Sequence, residues 1–482
     1  MIFFFIGGLL CVLNHFKLSI GSNQEIYMAL AKWWSDPSWI PGSFYFSDPP
    51  GTRIGFTAIM HPFWGLSSFE NISMAATFVN LFALGGLFFL IAKEVTKPTF
   101  FFIVLMHLTL FSGIGDLSFY SGEWMFGAAE PKTFAYIFAL WGLLLFLRKK
   151  EIWAFLLLSV AAYFHVLVAG WILLILLLDT WYVEGFKKAF KNGLVFIIGV
   201  IPLFFYLLSS YFQKGLTSFA GADEIFINNL NNHLRPWLTA GREDRFYFGL
   251  FYAFLGFIFA LYRYKKCDSK IALLYRLSIY SFLIPAFFTL LAPWDWFTPF
   301  VKIFPFRLTL MQKVLLILAA GLELNQRMEK VSWRKPLYAV LSIVLLVTGG
   351  LRLNKNIFKR LETYQDQELL DLSKVISQKY QPGTTVFYLD TNTVKSDDRL
   401  DPLSRIARVN VYFVNKFLPF SPEKILEWHR RQNLTRKLQE NPSRLDLLEN
   451  ENIDVIISKG ILDLNLIGES GEFKIYETLS NK

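Results

Sequence analysis

Long apolar runs without charged residues recur through the first three quarters of the chain, and short polar loops separate them. Runs such as 192–211 and 271–292 approach the length of about 20 residues with which a helix crosses a bilayer. The pattern predicts a polytopic bundle of about eleven membrane-spanning helices. The predicted spans are 1–19, 73–92, 98–115, 132–147, 152–166, 168–183, 192–211, 246–262, 271–292, 308–325 and 336–353.

Basic residues fall in five of the loops, and they predict the orientation of the bundle. Loops with an excess of Lys and Arg face the cytoplasm. All five loops can face the cytoplasm only if 152–183 is a hairpin of two short helices. The turn of this hairpin is expected near His165 and Gly170. As a single span, 152–183 would be unusually long and would move the later basic loops outside. The five loops are 93–97, 148–150, 187–191, 263–266 and 327–335.

The pattern changes after residue 354, where the sequence becomes polar and predicted strands alternate with helices. Such alternation is typical of a small α/β domain. We therefore predict an all-α membrane domain at 1–353, whose first outer loop, 20–70, lies along the membrane interface, and a soluble outer domain at 354–482. The predicted outer strands are 384–390, 409–414, 454–458 and 472–477, and the predicted outer helices are 367–380, 421–432 and 434–449.

Composition and charge agree with a membrane protein. The 482 residues are 54% hydrophobic and only 18% charged, where soluble domains carry about a quarter of charged residues. The net charge of +10 is explained by the basic loops, and no basic stripe interleaved with aromatic residues is present, so we expect no nucleic-acid partner. Cys11 and Cys267 form no disulfide framework or metal-binding pattern.

Three acids of the outer loops are the candidate catalytic residues. Glu25 lies just after the first span, where a carboxylate can act as a general base or hold a cation near a phosphate. Glu123 and Glu130 lie in the second outer loop. Structural alternatives stay open, because Ser22 and Glu25 match a capping box, and Glu130 followed by Pro131 matches a helix start.

The candidate substrate-binding residues are mostly polar groups of the outer loops. Arginine and lysine among aromatic residues suit a lipid phosphate, because Arg gives bidentate contacts and the rings cover an apolar chain. The alternative is an ordinary aromatic belt with anchoring charges. A histidine within an apolar run usually faces a cavity, although a lone histidine is more often a packing residue. The predicted residues are Asp48, His61, Lys132, His165, Lys302 and Arg307.

The first outer loop, which begins Asn23-Gln24-Glu25-Ile26-Tyr27, resembles the membrane glycosyltransferases of the GT-C superfamily. The resemblance implies a polyprenyl-phosphate sugar donor, a soluble outer domain, and Glu25 as the acid that serves as base or metal ligand. It also implies a divalent cation, Mg²⁺ or Mn²⁺, as the cofactor. Gln24 stands where the superfamily often has an acid.

The chain is also similar to a group of bacterial membrane proteins that end in an outer domain. The similarity rests on Ala129-Glu130-Pro131-Lys132 before a span, on His165 in the next one, and on Pro305-Phe306-Arg307 before a late one. It implies a GT-C-like fold in the bacterial inner membrane, with the C-terminal domain outside the cytoplasm.

These features favour a glycosyltransferase that moves a sugar from a polyprenyl-phosphate donor to a glycan, lipid or protein on the outer face. In the outer domain, Arg405, Trp428 and Arg430 are candidates for acceptor binding, with packing as the alternative. A second hypothesis is a transporter or flippase of a lipid-linked glycan, which would need charges deep within the spans. A third is a catalytically silent scaffold, suggested by Gln24.

Overall fold

The structure is a computed structural model. It describes residues 1–18, 20, 22–47, 51–111, 118–212, 221–229, 243–291, 294, 303–331, 334–354, 367–389, 400, 402–415, 417–419 and 421–478. Asp48 and Lys302, two of the predicted binding residues, lie outside these ranges.

The first 354 residues form helices throughout their described parts. The helices are α1 (Ile2–His15), α2 (Ser22–Ser35), α3 (Ile54–Met60), α4 (Phe69–Val95), α5 (Phe100–Leu108), α6 (Pro131–Leu147), α7 (Glu151–Glu184), α8 (Phe186–Phe212), α9 (Ala222–Asn229), α10 (Glu243–Arg263), α11 (Ser269–Leu291), α12 (Leu308–Met328) and α13 (Arg334–Leu353). Short 3₁₀ turns at Pro37–Trp39, Gly51–Arg53, His61–Phe63, Tyr264–Lys266 and Pro305–Arg307 connect some of them.

Six helices among the described residues are long and apolar enough to cross a membrane, which indicates an integral membrane protein. They are α4, α7, α8, α10, α11 and α12. The apolar helices α1 and α6 are shorter. Of the run predicted as a span at 98–115, residues 112–115 lie outside the described residues, and the described part contains the nine-residue helix α5. The count of eleven spans therefore stays a prediction.

The segment 152–183 folds back on itself, as the positions of the basic loops predict. Helix α7 is interrupted at His165, whose φ of −160° and ψ of 97° are extended. A straight helix of its 34 residues would be about 50 Å long, yet Lys149 Nζ, just before it, lies 3.9 Å from Glu184 Oε1 at its end. The two halves of α7 are therefore antiparallel, with His165 at the tip of the hairpin.

The basic loops meet at one end of the bundle. Glu94, at the end of α4, accepts from Arg148 Nε at 2.9 Å and from Lys270 Nζ at 2.7 Å. Asn325 Nδ2 donates to the carbonyl of Lys97 at 3.0 Å. Since the tip of the α7 hairpin points away from this end, His165 belongs to the opposite end of the bundle. The orientation of the two ends in the membrane stays a prediction.

Close glycine contacts join α1 to α4. A Cβ on Gly7 would lie 2.3 Å from the carbonyl oxygen of Gly85, so the two backbones approach more closely than any larger residue permits. Small residues serve this purpose between membrane helices. The packing fixes the chain just before α2, which carries the first outer residues of the candidate site.

Residues 367–478, called the outer domain below after the location predicted for them, form an α/β fold in their described parts. Its helices are α14 (Gln367–Lys379), α15 (Leu403–Ile406) and α16 (Pro422–Glu440), and its strands are β1 (Thr385–Leu389), β2 (Asn410–Val411), β3 (Val455–Ser458), β4 (Asn465–Ser470) and β5 (Phe473–Glu477). The sheet order is β2-β1-β3-β5-β4, with β1 parallel to β2 and β3, and with β5 antiparallel to β3 and β4.

Two details of the outer domain differ from the prediction. Strand β4 was not predicted, because its sequence is polar and its exposed residues form the sheet edge. The helices predicted at 421–432 and 434–449 are one helix, α16, followed by the 3₁₀ turn Leu445–Leu448. Leu372 and Ile376 of α14 pack on one face of the sheet, and Leu438 of α16 packs on the other. The domain is therefore a sheet between helices.

Candidate functional site

A cluster of charged side chains lies at the end of the bundle opposite the basic loops. The loop 118–130 and the first turn of α6 supply its acids and a lysine, the turn Pro305–Arg307 supplies an arginine, and the hairpin tip of α7 supplies His165. The cluster therefore unites residues that lie far apart in the chain. The term "charged cluster" below means Glu123, Glu130, Lys132, His165 and Arg307 together with Arg53.

Glu123 lies between two cations. Its Oε2 accepts from Lys132 Nζ at 3.2 Å, and its Oε1 lies 3.2 Å from Arg307 Nε. The Glu123 side chain is 3% exposed, and a carboxylate removed from water requires such partners. Lys132 Nζ also lies 3.7 Å from the centre of the Trp124 ring. Glu123 therefore fixes the positions of both cations.

Glu130 caps helix α6 and accepts hydrogen bonds from neutral donors. Asn23 Nδ2 donates to its Oε2 at 2.9 Å, and Trp124 Nε1 donates to its Oε1 at 3.1 Å. The nearest cation is Lys132, whose Nζ lies 3.8 Å from Oε1. The backbone N–H of Glu130 donates to Thr133 Oγ1 at 3.3 Å. Glu130 thus marks the start of a helix, as the structural alternative predicts. The same side chain can also belong to the charged cluster.

His165 and Arg307 are in direct contact. Arg307 Nη1 donates to His165 Nε2 at 2.6 Å. Arginine has only donors, so Nε2 must accept and carries no proton in this arrangement. The Arg307 guanidinium also lies 4.7 Å from the centre of the Phe304 ring. Arg307 is thereby held by an acid, an imidazole and an aromatic ring.

Arg53 is a further cation of the cluster that the sequence did not single out. It lies 4.9 Å from the centre of the Tyr27 ring, on the turn Gly51–Arg53. Its removal from water lowers the pKa of the Arg53 guanidinium below its ordinary value, and the positive charge of Arg307 lowers this pKa further. Tyr27 and Glu130 act in the opposite direction and raise the pKa. The one available signal was an arginine in an outer segment, where cations are comparatively rare.

The cluster combines three cations with two carboxylates, so its described side chains carry one net positive charge when His165 is neutral. Arg53, His165 and Arg307 are partly exposed, whereas Glu123 and Glu130 are 3% and 2% exposed. Arg53 and Arg307 are therefore more accessible than the two carboxylates of the cluster. Both features suit a phosphate group.

The same arrangement does not fit a divalent cation. Both carboxylates of the cluster already accept from Lys132, Asn23 or Trp124, and the surrounding cations repel a metal ion. Among the described residues, no group of three or more His, Cys, Asp or Glu side chains is arranged to hold a metal. The expected Mg²⁺ or Mn²⁺ therefore supplies no step of the mechanism proposed below.

Glu25 has a different partner from the other two acids. Arg405 of the outer domain donates to it through Nε at 2.8 Å and through Nη2 at 2.9 Å. Arg405 Nη1 also donates to Glu70. Glu25 is thus held in a bidentate ion pair, and its link to the charged cluster runs through Asn23, two residues earlier on α2.

The remaining predicted residues lie elsewhere. His61 is exposed and its Nδ1 is 2.8 Å from Ser35 Oγ, at the far end of α2 and about 18 Å along that helix from Asn23. Trp428 is fully buried and donates to the carbonyl of Val414. Arg430 pairs with Glu451 and Glu427. Packing is therefore the correct interpretation for Trp428, and Arg430 belongs to an ion-pair network within the outer domain.

An apolar cavity of about 410 Å³ lies beside the charged cluster, between α11 and the second half of α7. One wall residue, Ile303, precedes Arg307 by four positions, and its carbonyl accepts from Trp171 Nε1 at 2.9 Å. A second apolar cavity of about 310 Å³ shares Leu174 with the first. The first cavity is lined by Trp171, Leu174, Leu283, Ile284, Phe287, Phe288 and Ile303.

Comparison with known proteins gives a distant structural similarity. No protein-family model matches the sequence, and no curated protein matches it. The structure is similar to the crystal structure of ArnT from Cupriavidus metallidurans bound to undecaprenyl phosphate, over 98% of this chain and 96% of that chain. The sequence identity is 10% and the TM-score is 0.38, values at which the similarity assigns no residue a role.

Proposed function

We propose that this integral membrane protein is a glycosyltransferase that takes a sugar from a polyprenyl-phosphate donor and passes it to a glycan, lipid or protein at the outer face. The observation that carries the proposal is the convergence of Arg53, Lys132 and Arg307 beside an apolar cavity. A polyprenyl phosphate combines an anionic head with a long apolar tail. The motif resemblance in the first outer loop supports the same class of donor.

The cations act on the leaving group. When the bond between the sugar C1 and the phosphate oxygen breaks, the phosphodiester becomes a phosphomonoester and gains one negative charge. Fixed cations stabilise charge that grows in the transition state. Glu123 holds Lys132 and Arg307 in place, so the cations need no reorganisation when the charge appears.

Glu130 is the acid that we propose as the base. It takes the proton of the acceptor hydroxyl while the acceptor oxygen forms its bond to C1. Two neutral donors contact its carboxylate, and the nearest described cation, Lys132 Nζ, lies 3.8 Å from it. Glu123 and Glu25 lie closer to their arginines, at 3.2 Å and 2.8 Å, and a closer cation opposes protonation of a carboxylate more strongly. Access to Glu130 requires that Trp124 move aside from Oε1.

The apolar cavity is the proposed place of the lipid tail. Ile303 lines it, and Arg307 follows one short turn later. A tail in this cavity would therefore leave its phosphate at the exposed side of the charged cluster. Burial of the tail contributes about 25 cal/mol per Å² of apolar surface, so the cavity supplies affinity and the cations supply the position of the head.

The test is release of polyprenyl phosphate from a panel of polyprenyl-phosphate hexoses and pentoses, with purified full-length protein in lipid nanodiscs. We expect wild type to turn over at least one donor. Glu130→Gln should lower kcat by about 100-fold or more and leave donor KM within about threefold. The matched control, Glu151→Gln, changes an acid at the opposite end of the bundle, where it pairs with Lys188.

Three outcomes decide between the hypotheses. Equal turnover by wild type and Glu130→Gln contradicts the role of the base. Wild type that binds lipid-linked sugars without turnover contradicts the enzyme and favours the transporter or the scaffold. Transport of a lipid-linked glycan across proteoliposomes then separates these two.

A further inference from the structure

We propose that Arg405 of the outer domain is a positioning residue that fixes the first turn of α2 and, through that turn, the carboxylate of Glu130. The inference rests on the proposed function, because it assigns Arg405 an effect on the proton transfer. It gives the outer domain a role in the reaction beyond acceptor binding.

The Arg405 guanidinium joins two membrane-domain helices. It donates two hydrogen bonds to Glu25 at the start of α2, and it contacts Glu70 at the start of α4. It lies 5.1 Å from the centre of the Phe69 ring. The Arg405 side chain is 11% exposed. Planar, bidentate contacts of this kind fix geometry as well as charge.

Two hydrogen-bond routes run from this first turn to Glu130. The direct route is Asn23 Nδ2 to Glu130 Oε2, at 2.9 Å. In the second route, Gln24 Nε2 donates to Thr77 Oγ1 at 2.8 Å, and the same oxygen accepts from the backbone N–H of Ala129 at 3.0 Å. Ala129 precedes Glu130 in the chain. Residues 23, 24 and 25 therefore link the outer domain to both sides of the base.

The outer domain does not depend on Arg405 for its place on the membrane domain. Further contacts with the first outer loop lie on the segment 41–47, away from Glu25. They include Asn410 Nδ2 to the Pro41 carbonyl at 3.0 Å, the Val414 N–H to Tyr45 Oη at 2.7 Å, Lys424 Nζ to Ser47 Oγ at 2.6 Å, and the Arg431 guanidinium 4.1 Å from the centre of the Phe44 ring.

Loss of Arg405 should therefore disturb the base without undocking the domain. Glu25 and Glu70 would lose the cation that they share, and like charges left close together repel. The first turn of α2 would shift and carry Asn23 away from its hydrogen-bonded position on Glu130. Arg53, Lys132 and Arg307 make no contact with Arg405 among the described interactions, so binding of the donor phosphate should persist.

The experiment compares Arg405→Gln with Lys424→Gln in the full-length protein, by donor turnover and by amide hydrogen exchange. Arg405→Gln should lower kcat about tenfold or more, since small misplacements of catalytic groups have effects of this size, and leave donor KM within about threefold. Exchange should rise at residues 23–27 and 129–133. Arg405→Lys keeps the positive charge but not the planar guanidinium with its paired donors, so this variant should recover only part of kcat. Lys424→Gln should leave kcat and exchange at these residues unchanged.

The failure of this inference differs from the failure of the proposed function. If wild type turns over donor and Arg405→Gln keeps the wild-type kcat, or exchange at 23–27 does not rise, Arg405 has no positioning role. If the folded fraction falls in proportion to kcat, the role is structural only. A wild type that neither binds nor turns over polyprenyl-phosphate sugars contradicts the proposed function, and this inference with it.

Discussion

Arg307→Gln removes a cation that contacts both Glu123 and His165 within the charged cluster. Its guanidinium lies 3.2 Å from Glu123 and donates to His165 at 2.6 Å, and we propose that it also holds the donor phosphate. A hydrogen bond to a charged group is worth about 1.5–3 kcal/mol, which corresponds to about a 10- to 150-fold change in Kd. Because the variant also leaves Glu123 with Lys132 alone, we expect the upper part of this range.

The assay is binding of polyprenyl phosphate to protein in nanodiscs, at low and at physiological salt. Arg307→Lys should fall between wild type and Arg307→Gln, because an ammonium cannot bridge Glu123 and His165 as a guanidinium does. Lys270→Gln is the control: it removes one cation from the opposite end of the bundle, where Lys270 pairs with Glu94. A Kd for folded Arg307→Gln within twofold of wild type would refute the phosphate site.

Two further predictions concern the outer domain. In Gly383→Ala the new Cβ would lie 2.8 Å from the Pro41 carbonyl oxygen at a φ of +91°, so hydrogen exchange in the segment 41–47 should rise. Gly42→Ala carries a similar backbone strain of roughly 1–2 kcal/mol at a φ of +67°, but its Cβ would meet no atom within 4 Å. Hydrogen exchange in the segment 41–47 should therefore rise less in Gly42→Ala than in Gly383→Ala. Hydrogen bonds from Arg430 hold the pKa of Glu451 below its ordinary value, which stabilises the fold above about pH 4.3. The stability difference between wild type and Arg430→Gln, measured by thermal unfolding, should therefore close as the pH falls through that lowered pKa.

Local sequence patterns predict the elements of this fold where buried segments are continuous apolar stretches of the sequence. Apolar runs locate the long helices, and charge in the loops predicts the hairpin around His165, because a single physical rule acts on all five loops at once. Helix α5 ends at Leu108, within its apolar run, since apolarity alone does not fix where a helix ends. Strand β4 escapes prediction because an edge strand needs no apolar alternation.

The candidate site is harder to predict because its contacts are distant in the chain. Glu123, Glu130 and Lys132 lie in one short segment, so their proximity follows from the sequence. The pairing of Glu25 with Arg405, 380 residues apart, leaves no local signal. It makes Glu25 a member of an ion pair, where the sequence suggested a base, a metal ligand or a helix cap. Arg53 joins the cluster through the fold of the first outer loop, which no periodicity describes.

We propose that the charged cluster holds the phosphate of a polyprenyl-linked donor. A cryo-electron microscopy map of the protein in nanodiscs with polyprenyl phosphate would show this binding site. We expect phosphate density within hydrogen-bond distance of Arg53 and Arg307, and tail density in the cavity lined by Trp171 and Phe288. Bound lipid whose phosphate lies elsewhere, with the charged cluster unchanged, would contradict it.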